Sequence, residues 1–369
     1  MKIIIRNCNV AELDIPLKYA TKLYNEFAIR HPNAFYLRTR QRGMQNWDGK
    51  IKYITKTGQF KIGLLPSVYK RCIELGIKPI IVDMRQPLPK VSKVVTQIGK
   101  YKLRPEQEKA VKAILSNKLG ETPFQIGVLD YTVNAGKTLI MSALYLSYKK
   151  QLKTLLITND SDWLNQARDE FKQYLPGEDI TFVQGKVLNW SNFTIGMVQS
   201  ISRNMKYYQN ELAKIDMVLI DEADQGGSKQ YQNVITRLFN TRVRIGLSGT
   251  IYMSKLAKDK VKNMNLRCFF GDVLAEFKLK DSIKKGYSTK TIVKTVEGKP
   301  WFGNWESDCM SYNEIYDDSI THNKIAWTMA LDRLKWNLNQ GRYPALVVCK
   351  HIAHCENLYK FFKKKLDNK

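Results

Sequence analysis

The sequence predicts an α/β protein, a parallel sheet with flanking helices preceded by a small α+β segment. Three observations carry that expectation. From about residue 100, short apolar runs alternate with stretches of helical periodicity, the pattern of βαβ units. The runs are apolar enough to be strands buried on both faces. Two of them lead directly into chemistry-bearing sequences, Asn134-Ala-Gly-Lys-Thr138 and Asp221-Glu-Ala-Asp224.

Composition bounds the answer further. The 369 residues are 44% hydrophobic and 25% charged, which excludes a disordered chain or a disulfide-stapled miniprotein and allows two or three domains. Lys and Arg number 60 against 34 Asp and Glu, a net charge of +26, so a polyanionic partner is expected, most simply nucleic acid. Residues 1–100 hold 19 of the basic residues against 6 acidic ones, which makes the N-terminal segment a candidate binding surface. Cys8, Cys72, Cys268, Cys309, Cys349 and Cys355 form no C-x-x-C pair, as fits reduced thiols in a cytoplasmic protein. No apolar run approaches 18 residues and the first residues lack a signal-peptide pattern, so no membrane partner is expected.

Along the first segment, Lys2–Ile5 reads as a strand, Ile15–Ile29 as an amphipathic helix and Ala34–Arg42 as a second strand. The turn Asn46-Trp-Asp-Gly-Lys50 then returns Ile51–Ile54 as its hairpin partner, and Pro66–Leu75 suggests a helix. Arg85–Lys93, with two prolines and no period, is the best linker. The strands expected beyond it are Gln125–Leu129, Thr154–Thr158, Phe193–Val198, Met217–Ile220 and Arg244–Leu247, with helices over Glu106–Leu115 and Leu139–Tyr148. From residue 285, Thr291–Thr295 is strand-like, Ile320–Leu338 helical, Ala345–Cys349 a buried strand and Cys355–Leu366 a helix.

Asn134, Ala135, Gly136, Lys137 and Thr138 sit between a strand and a helix, where a phosphate-binding loop belongs. Backbone N–H groups at the helix start cradle phosphates, Lys137 neutralises their oxygens, and the Thr138 hydroxyl ligates Mg²⁺. Tyr131 occupies the first glycine position of the usual pattern, and an ordinary glycine turn would also explain Ala-Gly-Lys-Thr alone. The acidic pair lies 84 residues after Lys137, with Asp221 placed to hold Mg²⁺ and Glu222 to polarise a water. A solvated acidic turn explains the tetrapeptide by itself but not its conjunction with the loop. Upstream, Leu103-Arg-Pro-Glu-Gln107 offers an amide able to read adenine, or simply a helix start with Pro near its first position. Ser248-Gly249-Thr250 ends the strand after the acidic pair.

In the first segment Arg38, Arg40 and Arg42 alternate with other residues and would share one strand face at about 6.6 Å spacing, a phosphate-backbone ladder or a solvated face. Trp47 could stack on a base or pack under its hairpin. Cys349, His351, His354 and Cys355 invite a zinc reading, but the paired-ligand spacing is absent. The lysines from Lys360 onward read as a solvated tail.

Taken together, these motifs resemble the first RecA-like lobe of superfamily 2 helicases: Gln107 as the Q motif, Gly136, Lys137 and Thr138 as motif I, Asp221 to Asp224 as motif II, and Ser248, Gly249 and Thr250 as motif III. Leu155–Thr158 with Trp163–Gln166 looks like motif Ia and Thr194–Gln199 like motif Ic, which implies nucleic-acid backbone contacts for Gln166 and Gln199. Arg42–Lys52, including Trp47 and Lys50, and Gly63-Leu-Leu65 are similar to the N-terminal domain of phage recombination and replication helicases. Ala345–His354, including Lys350 and His351, is similar to their motif IV. The resemblance implies ATP and Mg²⁺ as cofactors and remodelling of branched or forked DNA, or displacement of RNA from RNA–DNA hybrids. It implies three parts: a basic accessory domain over residues 1–90, lobe 1 over 91–284 and an incomplete lobe 2 over 285–369.

Two departures stand out. Tyr131-Thr-Val-Asn134 replaces the usual lead-in to motif I, and no motif V or arginine-bearing motif VI follows motif IV. An arginine finger is worth about 10³–10⁵ in kcat, so the expectation is a split or truncated helicase that binds ATP, hydrolyses it slowly and works with a second polypeptide. A restriction-type translocase lobe and a non-catalytic nucleic-acid-binding fragment stay open as alternatives.

Overall fold

Seven parallel strands lie in the order Ile180–Val183, Phe193–Met197, Thr154–Thr158, Met217–Asp221, Val243–Ser248, Ile126–Tyr131 and Val273–Phe277. The computed structural model describes residues 1–40, 43–91, 93–185, 187, 190–252, 257–290, 311–341 and 346–366. The chain divides into two compact units, Met1–Lys290 and Thr291–Lys369. Ile126–Tyr131, Met217–Asp221 and Val243–Ser248 are buried along their whole length, because helices cover both sheet faces. The architecture is the expected RecA-like α/β fold. The five expected core strands are present with ends shifted by a residue or two. Ile180–Val183 and Val273–Phe277, at the two edges, are additional; their partly polar, half-exposed residues hid them.

In the N-terminal part, a four-stranded sheet runs Gln59–Lys61, Val10–Asp14, Lys2–Ile5, Ile80–Asp83. Val10–Asp14 is a strand the periodicity did not suggest; the Asn7 side chain makes the turn before it by accepting from Asn9 N at 2.8 Å and Val10 N at 3.0 Å. Over its described residues, Ala34–Arg40, the expected strand Ala34–Arg42 is not a strand. Ala34–Arg40 is a short helix, and Lys50–Lys52 pairs antiparallel with Ala28–Arg30, leaving residues 34–40 no sheet neighbour. The Thr39 hydroxyl fits that helix, donating back to Phe35 O at 3.1 Å. Arg38 and Arg40 are therefore separated by about 200° around a helix, not stacked on one strand face. Arg42 lies outside the described residues.

One apolar cluster runs continuously from Ile3, Ile5 and Leu65 to Val218, Ile220 and Phe270, and a second fills the other sheet face around Tyr145, Leu156 and Leu247. At Gly63 the N-terminal part lies directly against the helix Ala257–Phe270: a Cβ there would stand 2.2 Å from Arg267 O and 2.7 Å from Cys268 O. Because those neighbours are backbone atoms, Gly63→Ala is expected to destabilise the first unit by about 1–3 kcal/mol or more, read as a lower midpoint in thermal denaturation.

The second unit contains Tyr312–Tyr316, Lys324–Asn339 and Ile352–Leu366, the last two joined through Leu331, Leu358 and Phe362. The expected buried strand Ala345–Cys349 is contradicted over its described residues. Leu346 to Cys349 lie in no strand, and Leu346 and Val348 are 88% and 82% exposed. Among the described residues this unit has no strand for the run to pair with. The Thr291–Thr295 expectation falls outside the described residues.

Candidate nucleotide site and nucleic-acid interface

The loop after Ile126–Tyr131 turns sharply into the helix Lys137–Ser147. Asn134 and Gly136 both take the left-handed conformation, at φ 63° and 72°, which aims the helix N-terminus, with its unpaired N–H groups, into the space above the strand ends. Gly136 is required twice over, since a Cβ would also meet Gln107 Nε2 at 2.3 Å. Thr138 is buried in the first helical turn.

Met217–Asp221 brings Asp221 to the carboxyl end of the sheet opposite this loop. Lys137 Nζ stands 3.5 Å from Asp221 Oδ1 and 3.9 Å from Glu222 Oε1. Burial pushes the Asp221 carboxyl up, opposed by the Lys137 charge. Burial also raises Glu222, again opposed by Lys137, with Asp221 and Asp224 adding repulsion. Glu222 holds a left-handed backbone, φ 52°, directly after the strand. Asp221 Oδ1 is a buried oxygen that makes no hydrogen bond. A desolvated carboxylate oxygen within ion-pair distance of a helix start that also carries Thr138 fits Mg²⁺, which takes one or two protein oxygens and fills its shell with phosphate and water. Thr138 and Asp221 would hold it. Among the described residues no group of three or more His, Cys, Asp or Glu side chains is arranged around a metal.

Ser248 Oγ donates to Asp224 Oδ1 at 3.0 Å and accepts from Thr250 N at 3.2 Å, tying the end of one central strand to the acidic turn of its neighbour. Gly249 lies flat on Thr132 and Tyr131, where a Cβ would come within 3.2 Å of backbone. The phosphate loop, the acidic turn and Ser248-Gly249-Thr250 thus form one contiguous constellation.

Gln107 is placed differently from the adenine-reading expectation. It is 2% exposed, its Nε2 donates to Ala135 O at 2.9 Å and its Oε1 accepts from Arg104 N at 2.8 Å. Both ends of the amide are committed, so here Gln107 braces the phosphate loop and presents no edge to a base. Arg104, not singled out from sequence, does related work. Its Nη2 donates to Asn134 O at 3.1 Å and its guanidinium lies 4.3 Å from the Tyr287 ring centroid.

The nucleic-acid candidates are dispersed. Gln199 Nε2 donates to Asn159 O at 3.2 Å and Asn159 Nδ2 to Gln225 Oε1 at 2.7 Å, a chain linking three strand ends near the acidic turn. Gln166 is exposed and bonded to Glu170. Trp47 is half-buried, edge-on to His31, with its indole N–H on Lys50 O at 3.0 Å, so it packs on its own turn; Lys50 is exposed. In the second unit Lys350 lies 4.4 Å from the Tyr316 ring centroid and His351 4.0 Å from Asp317. His354 is buried and stacked on Trp327.

A seven-stranded parallel sheet carrying these motifs in this order is similar to the nucleotide-binding lobe of superfamily 2 helicases. Residues 100–253 match the family described as type III restriction enzyme, res subunit. The chain is similar to the ATP-dependent DNA helicase UvsW of enterobacteria phage T4, with 22% identity over 351 residues, 87% of this chain and 65% of that one. It is also similar to an Acanthamoeba polyphaga mimivirus protein whose assigned name is that of an ATP-dependent RNA helicase, with 26% identity over 147 residues, 40% of this chain and 27% of that one. The chain thus spans less than two thirds of the length of either relative. A crystal structure of the UvsW helicase from bacteriophage T4 matches with a TM-score of 0.58 at 20% identity, over 74% of this chain and 100% of that one. A second T4 UvsW crystal structure matches with a TM-score of 0.57 over 99% of this chain and 73% of that one. These structures share the fold.

Proposed function

We propose that the chain couples ATP hydrolysis to remodelling of branched DNA or to removal of RNA from RNA–DNA hybrids. The observation that carries this reading is the constellation around Lys137: a phosphate loop, an ion-paired Asp221 and Glu222 at 3.5 and 3.9 Å, and Ser248 bonded to Asp224 of the same acidic turn. Before nucleotide binds, the Lys137 ammonium is held by the two carboxylates; an incoming triphosphate offers it stronger anionic partners and frees Glu222 to orient water. Mg²⁺ held by Thr138 and Asp221 would supply neutralisation of charge building on the phosphate oxygens. Ser248 and Thr250 relay the state of the acidic turn to the nucleic-acid side.

Ser248→Ala removes that relay without touching the phosphates. The expected outcome is unchanged ATP affinity with less duplex displaced per ATP consumed, measured by running both assays on the same preparation. Nucleic acid is read by the basic N-terminal part, where Arg38, Arg40 and the exposed Phe35 and Tyr36 share one short helix. Replacing Arg38 and Arg40 by Ala should lower the slope of log affinity against log salt by about 1 for each phosphate that is no longer neutralised. Strand displacement from forked DNA, linear duplex and RNA–DNA hybrid, compared at equal ATP, tests the substrate assignment. Preference for the fork or the hybrid supports it, and equal or absent displacement on all three contradicts it.

A further inference from the structure

A cavity of about 500 Å³ opens beside residues that immediately precede the central strands, at the amino end of the sheet and so opposite the nucleotide site. Arg6, Arg85, Gln151, Lys214, Asp216 and Arg242 are among its walls. Arg85 and Arg242 have side chains only 2% and 8% exposed. Asp83 accepts from Arg85 Nε at 2.8 Å and Nη2 at 2.9 Å, and its Oδ2 lies 3.4 Å from Arg242 Nη2. Among the described residues it is the one carboxylate ion-paired to either guanidinium. Behind them Arg244 is fully buried, its Nη2 on Cys8 O at 2.7 Å and Asn9 Oδ1 at 2.8 Å, with no carboxylate bonded to it. Arg85 and Arg242 therefore share one carboxylate while Arg244 has none; Arg242 Nη1 donates to Gln86 O and Arg244 Nη1 to Phe269 O, and Arg85 Nη1, Arg242 Nε and Arg244 Nε are buried donors that make no hydrogen bond.

Such an excess is costly in a desolvated site unless an anion balances it. The remaining acid in the wall does not do so fully. Asp216 spends one oxygen on Lys153 N at 3.0 Å, and burial pushes its carboxyl up toward the neutral form. At the rim, Arg6 and Lys214 are paired with Glu12 and Glu211 and add no free charge.

We propose that this cavity is an anion site taking a phosphoryl group on the Arg85 and Arg242 guanidiniums. Planar guanidiniums match phosphate oxygens in paired hydrogen bonds, and the charge excess suits a dianion. The volume leaves room for whatever the phosphoryl group is attached to, either a free phosphorylated compound or the backbone of a nucleic acid.

The test is calorimetric titration of inorganic phosphate at constant ionic strength into the Lys137→Ala chain, which disables the phosphate loop, and into the same chain carrying Arg242→Gln or Gln151→Glu. Gln151 is exposed at the rim, so its substitution adds repelling charge without disturbing the core. The expected result is saturable binding with Lys137→Ala alone, weakened tenfold or more by Arg242→Gln and several-fold by Gln151→Glu. Circular dichroism verifies that each variant is folded. Absence of saturable binding with Lys137→Ala, or unchanged affinity with Gln151→Glu, overturns the proposal. A single-stranded oligonucleotide that displaces the phosphate identifies the ligand as a backbone phosphate; one that binds without displacing it identifies a free phosphorylated compound.

Discussion

Glu222→Gln is expected to leave ATP binding intact while lowering single-turnover hydrolysis by about 10²–10⁴-fold, the range for loss of a positioned general base. The substitution keeps the shape and the hydrogen-bonding reach of the side chain. It removes the charge that orients and polarises water. Glu222 is set for the role by position: the left-handed turn directly after a buried strand swings its carboxylate out of the sheet, and Lys137 Nζ at 3.9 Å ties it to the phosphate loop. Losing one negative charge from a crowded acidic turn also relieves repulsion toward a triphosphate, so the affinity should hold or rise. A filter-binding isotherm beside a quenched single-turnover time course reads both quantities. Equal loss of binding and turnover would reduce Glu222 to a structural residue.

Lys137→Ala is expected to act earlier. Its ammonium is the cation at the head of the helix Lys137–Ser147, partly withdrawn from water and within ion-pair distance of Asp221 and Glu222. Removing it leaves two carboxylates facing the phosphates with no opposing charge, and a buried Asp221 without its ion-pair partner. ATP affinity should fall at least tenfold, and hydrolysis by about 10²–10³-fold, as for loss of one group that stabilises transition-state charge. Fluorescent-nucleotide titration and the same time course measure the two. Circular dichroism separates this from unfolding.

How far the sequence disclosed these features depended on whether the information was local. The strand that leads to the loop before Lys137 and the strands that end at Asp221 and Ser248 were legible because burial on both faces demands continuous apolar runs, and the residues that follow are set by where each strand stops. The helix Ala34–Arg40 was not legible. Its Phe-Tyr-Leu-Arg-Thr-Arg run alternates like a strand, and what decided its structure was the capture of Lys50–Lys52 by Ala28–Arg30, a pairing fixed elsewhere. Gln107 was found by its motif, but its partner Ala135 lies 28 residues away, so a brace looked like a free amide. The cluster of Arg85, Arg242 and Arg244 had no sequence signal, since about 160 residues separate Arg85 from the other two and nothing local brings them together.

The proposed function requires that the chain hydrolyse ATP at a rate that nucleic acid governs. Steady-state ATP turnover of the chain with and without forked DNA, using Lys137→Ala as the baseline, is the decisive measurement. Turnover should rise on adding DNA and be lost in Lys137→Ala. Turnover indifferent to nucleic acid, or undiminished by the substitution, would contradict the coupling.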